Sequence, residues 1–145
     1  MHERPDVTLY QQIFWGSVYL GACLFLQVIF LALAEAAQRK TGPWLSKKRR
    51  FVEVSATLME TLIFIVTAHT VQVWLWATVY IFKDVLPDWN SAIYFSLVTY
   101  TALGYGDIVL GPGVRIFAGF AAVTGLLGFG ISTAYLVALM NRVSR

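Results

Sequence analysis

Apolar residues gather along this chain into three long runs separated by short polar intervals. A helix of roughly 20 residues crosses the hydrocarbon core of a bilayer. Residues 13–34, 54–82 and 114–140 are each apolar over at least that length, so three membrane-spanning helices are expected. A fourth apolar piece, residues 89–100, is too short to cross at about 1.5 Å per residue. It reads as a re-entrant helix, with Pro87 just before it and Asp88 or Asn90 as its N-cap.

The spans contain few polar residues, which makes those few informative. The second holds Glu60, His69 and Gln72, and ionisable groups inside a span are functional candidates by default. His69 and Gln72 are three apart and share a helix face. Hydrogen bonding to a neighbouring helix is favoured over proton sensing at His69, because a lone histidine is no switch without a bistable element. Gln27 in the first span reads as a packing polar group. That span has no Arg or Lys between residues 13 and 34, which excludes an arginine-rich voltage sensor. Its expected role is to brace the second helix from the lipid side.

Composition supports the membrane reading. Of 145 residues 58% are hydrophobic and 13% charged, against about 25% charged in a soluble domain. The one cysteine, Cys23, allows neither a disulfide framework nor a thiolate metal cluster. The net charge of +3 is not spread as a nucleic-acid surface would need. Eight of the eleven Lys and Arg residues lie in residues 35–53 or in the C-terminal tail, whereas residues 83–112 hold one Lys and three Asp. By the positive-inside rule the C-terminus is cytoplasmic, and the N-terminus and the re-entrant segment face outward. Residues 35–53 are expected as a basic cytoplasmic linker broken at Thr41-Gly42-Pro43. Its cluster Lys47, Lys48, Arg49 and Arg50 suits anionic lipid head groups, although a topology determinant with no specific ligand explains it as well. Reading Ala32-Leu33-Ala34 as a signal-peptidase site is disfavoured, since the preceding residues are not net basic and the apolar run is too long. No phosphate loop, metal-ligand cluster or nucleophile–base pair marks an enzyme, and no cofactor is implied.

The chemistry lies in Thr99-Tyr100-Thr101-Ala102-Leu103-Gly104-Tyr105-Gly106-Asp107, directly after the short helix. A pore that passes K⁺ must replace the oxygens of its hydration shell. Successive backbone carbonyls can do so only if they point along one line, whereas an ordinary strand alternates them. Left-handed residues correct the alternation, and glycine adopts that conformation cheaply. Gly104 and Gly106, alternating with Leu103 and Tyr105, suit such a line. Irregular backbone is tolerated at membrane depth only where it lines a cavity, and the C-terminal dipole of the preceding helix favours a cation there.

This string, with its short helix and flanking spans, resembles the potassium-channel signature T-x-G-Y-G-D and its outer-helix, pore-loop, inner-helix order, over about residues 54–140. The resemblance implies an all-α membrane protein with three transmembrane helices, a re-entrant pore helix and a filter loop, assembled as a four-fold homotetramer. Residues 1–34 would be an added N-terminal segment and helix, and 54–145 the pore domain, with outer helix 54–82, pore helix 89–100, filter 101–107 and inner helix 114–140. Carbonyls of Ala102, Leu103, Gly104 and Tyr105 would bind K⁺, the permeant ion, with Gly106 at the outer mouth. Thr101, Asp107 and Tyr94 would support the filter, Asp107 bonding to the Tyr94 hydroxyl of the aromatic pair Tyr94-Phe95. Ala102 stands where the family has a threonine whose hydroxyl completes the innermost ion site. Weaker binding there is expected, and a non-selective cation pore is the alternative it raises. Gly125 matches the hinge glycine of the inner helix, with close packing as the competing reading; Gly128 and Gly130 read as packing glycines. Ser132 and Thr133 either line the cavity or bond to the preceding turn. The small, minimal architecture is similar to that of prokaryotic channels, and a bacterial inner membrane is the expected location.

Overall fold

In a membrane the usual amphipathic rule is inverted. Lipid accepts apolar side chains on every outward face, while an amide or imidazole must turn inward to find a partner. The first helix shows the consequence. Its buried row is Gln12, Gly16, Cys23, Gln27, Leu31, Ala34, Gln38 and Leu45, mostly three, four or seven residues apart. That face is narrow, small-sided and dotted with glutamines, whereas Phe14, Phe25, Val28 and Leu33 point outward.

The computed structural model describes residues 9–46 and 49–143. They form α1 (Leu9–Leu45), α2 (Arg50–Phe82), α3 (Trp89–Tyr100) and α4 (Pro112–Val143), with no strand among the described residues. Three of these, α1, α2 and α4, are long and apolar enough to cross a membrane. The short α3 is capped by Asp88, whose carboxylate accepts from the Ser91 amide at 2.9 Å and from its hydroxyl at 2.8 Å. Asp88 rather than Asn90 is therefore the cap.

The expected break at Thr41-Gly42-Pro43 is absent. Helix α1 runs through Pro43 to Leu45, and α2 begins at Arg50. A proline removes one helical hydrogen bond and crowds the carbonyl four residues earlier. Here tertiary contacts outweigh that cost. The Gln38 amide donates to Thr61 at 2.7 Å, the Thr41 hydroxyl donates to Glu60 at 2.9 Å, and Leu45 is buried. Lys47 and Lys48 of the basic cluster lie outside the described residues.

Helix α1 packs on α2, the helix it was expected to brace, and also on α4. The core is built in three layers. One is aromatic: Tyr19 of α1, Trp76 and Tyr80 of α2, Phe95 of α3 and Phe117 of α4, with centroids 5.2–5.9 Å apart for Tyr80–Phe95, Trp76–Phe117, Tyr19–Phe117 and Tyr19–Trp76. The next is polar and is described below. The third is ionic: Arg142 of α4 donates to both Glu35 oxygens at 3.0 and 3.3 Å and to Gln38 at 2.8 Å, while the Tyr135 hydroxyl donates to Glu35 at 3.1 Å.

Candidate functional site

The site begins where α3 ends. Thr101 is the C-cap, and its amide donates to the Leu97 carbonyl at 3.0 Å. The next amides also turn back on the helix: Ala102 donates to Thr99 at 2.9 Å, and Leu103 and Gly104 donate to Val98 at 3.0 and 3.3 Å. The last carbonyls of α3 are thereby satisfied by the loop itself. No backbone amide among the described residues donates to the carbonyls of Ala102, Leu103, Gly104 or Tyr105. Four consecutive acceptors are left for a ligand from outside the chain.

Backbone angles in the loop alternate. Ala102, Gly104 and Gly106 have φ of +58°, +55° and +78°, while Leu103 and Tyr105 between them do not take positive values. Every second residue is thus left-handed, the alternation needed to turn successive carbonyls to one side. Sequence reasoning anticipated Gly104 and Gly106 and missed Ala102. A left-handed L-residue costs roughly 1–2 kcal/mol. The available signal was the register itself, since stepping back by two from Gly106 and Gly104 reaches residue 102.

At the far end of the loop the Tyr94 hydroxyl donates to Asp107 at 2.6 Å. This bond holds the Asp107 carboxyl below the usual carboxylate range, helped by the amides of Asp107 and Ile108, and it raises the Tyr94 phenol. Phe95, the other half of the aromatic pair, faces the opposite way and packs edge-on to Tyr80 at 5.2 Å. The outward side of the loop is bare in a single chain, with Leu103 and Tyr105 leaving 55% and 68% of their surface exposed.

Behind the start of the loop lies the polar layer. Five side chains from all four helices meet there: Gln27 of α1, His69 and Gln72 of α2, Tyr100 of α3 and Ser132 of α4. The Tyr100 hydroxyl donates to Gln72 at 3.2 Å, the Gln72 amide to Gln27 at 2.7 Å, and the Gln27 amide to Ser132 at 2.8 Å. The His69 ring closes the circuit, with Nε2 3.2 Å from Ser132 Oγ and Nδ1 2.7 Å from Tyr100 Oη. With its proton on Nδ1, His69 donates to Tyr100 and accepts from Ser132. The five side chains thus form one connected network, in which the single Ser132 hydroxyl proton is shared between His69 and the backbone. Ser132 has a second acceptor in the Gly128 carbonyl at 2.8 Å. Thr133 bonds only to its own preceding turn, at Phe129.

Two inner-helix glycines make room for this layer. A Cβ on Gly125 would collide with the Tyr100 carbonyl, and one on Gly128 would press on the His69 ring and the Tyr100 hydroxyl at 3.2 and 3.3 Å. Helix α4 runs unbroken through Gly125. Gly130 meets no neighbour in its own chain, unlike the packing expected of it. Among the described residues no group of three or more His, Cys, Asp or Glu side chains could hold a metal.

A family model described as "Ion channel" matches residues 57–142, more than half of the chain, covering most of α2, all of α3 and the loop, and nearly all of α4. No curated protein and no solved structure matches.

Proposed function

The chain belongs to the ion-channel family and is a multi-pass membrane protein rather than an enzyme; from that premise we propose that it conducts K⁺ selectively through carbonyls of Ala102, Leu103, Gly104 and Tyr105. The observation that carries this reading is the run of free carbonyls on alternating backbone, with left-handed φ at Ala102, Gly104 and Gly106. Carbonyl oxygens in a line replace a hydration shell step by step, so an ion moves between similar sites with little net cost. The C-terminal end of α3 points its negative dipole at the base of the same line.

One chain supplies one wall of such a pathway. Four copies around an axis would face their bare loops toward each other and cover Leu103 and Tyr105. Gly106 would then sit at the outer mouth, with Asp107, Tyr94 and Thr101 fixing the loop from behind. The Lys and Arg residues gathered in 35–53 and in the C-terminal tail support an N-terminus outside and a C-terminus in the cytoplasm. Arg49 and Arg50 would then meet anionic lipid head groups at the inner surface. A hinge at Gly125 would bend α4 against the Tyr100 carbonyl.

Flux from liposomes loaded with K⁺ tests the reading. Efflux into Na⁺ medium, with Na⁺ excluded and with loss of flux in Gly104→Val, is the expected result, because a β-branched residue does not take φ near +55°. Equal passage of the two ions would instead support a non-selective cation pore. Ala102, which offers no hydroxyl at the innermost site, would be its cause.

A further inference from the structure

The polar ring joins the one helix outside the matched region to the residue from which the conducting loop departs. Gln27 is fully buried and lies in the middle of α1. It accepts from Gln72 and donates to Ser132. Gln72 accepts in turn from Tyr100, the last residue of α3, which is 1% exposed. Thr101 follows directly, and the amides of Leu103 and Gly104 hang on the Val98 carbonyl in the last turn of α3. A shift of that turn therefore moves the first carbonyls of the loop.

We propose that Gln27 is a positioning residue for the filter: through the ring Tyr100–Gln72–Gln27–Ser132–His69, the first helix fixes the C-terminal turn of α3 and so the spacing of the innermost carbonyls. The proposal rests on the channel reading above. Three arguments favour positioning over bland packing. The glutamine side chain carries a donor group and an acceptor group at a fixed separation, and each is engaged. In a connected polar network the bonds strengthen one another, so removing one member weakens more than its own contacts. The inner helix also presents Gly125 and Gly128 to Tyr100, where a Cβ would collide or press. The fit around this residue is therefore tight on every side. Ala102, strained at φ +58°, is the loop residue that most needs support from behind.

The test compares full-length wild type with Gln27→Met, which keeps the volume but not the amide, and with Glu35→Gln. The latter weakens a different bond between α1 and α4, far from the loop. Hydrogen exchange of the 101–107 amides and the K⁺/Na⁺ permeability ratio are measured for each. Gln27→Met removes two buried hydrogen bonds, so exchange in that segment is expected to be roughly five- to hundredfold faster and the ratio lower. Glu35→Gln leaves both readouts at their wild-type values. Unchanged exchange and ratio in Gln27→Met would overturn the proposal, as would equal effects of the two variants. If Gln27→Met does not assemble, Gln27→Met/Gln72→Leu removes both amides and leaves neither unpaired, with the same acceleration expected. Should wild type itself pass Na⁺ as readily as K⁺, the selectivity reading fails, while the exchange data still decide the role of Gln27.

Discussion

Asp107 and Tyr94 meet at 2.6 Å on the exposed side of the loop, and their chemistry sets a pH window. The hydroxyl bond lowers the folded-state pKa of Asp107. Its contribution is then complete above the ordinary carboxylate value of about 3.9 and is lost only as pH falls through the lower folded value. The carboxylate should therefore stay ionised from pH 7 to pH 5, as followed by its infrared stretching band. In Tyr94→Phe protonation begins at a higher pH. A wild-type band that already titrates between pH 6 and 5 would contradict this account. The pairing was anticipated through the resemblance to the channel signature, with Tyr94 chosen because it alone of the aromatic pair has a hydroxyl. The left-handed Ala102 was not, because alanine gives no propensity signal for that conformation and only the loop's register imposes it.

Helix α4 packs against α3 at the smallest residues it has. Gly125 lies directly on the Tyr100 carbonyl, so Gly125→Ala is an overpacking substitution at a backbone atom that cannot rotate aside. A loss of roughly 1–3 kcal/mol is expected, read as a lower thermal transition in detergent. Gly130→Ala, with open space around it in the chain, should cost less. Equal shifts for the two would argue that the approach at Tyr100 is not tight. Span lengths made three of the four helices legible, and the short fourth followed from what could not cross. The end of α1 was not legible. Local chemistry at Gly42-Pro43 argued for a break, and the contacts that override it, Gln38 to Thr61 and Thr41 to Glu60, reach across to another helix. Gln27 and Gln72 stood out as polar residues in apolar runs. Their meeting depends on how α1 is rotated about its axis, which a single sequence does not state.

Across the whole molecule α1 is fastened to α4 at three levels: Tyr19 against Phe117, Gln27 to Ser132, and Glu35 to Arg142. The Glu35–Arg142 bond was missed, although an acid and a base near the C-terminal ends of two parallel spans gave a usable signal. Four such units would place their loops around one axis, along which K⁺ would pass. Crystals of the full chain soaked in Tl⁺, a K⁺ mimic with strong anomalous scattering, locate the ion directly. The account predicts anomalous peaks on a four-fold axis, stacked between the carbonyl levels of Ala102 and Tyr105. Well-ordered crystals with no peak at those carbonyls, or with an assembly that keeps the loops apart, would contradict it.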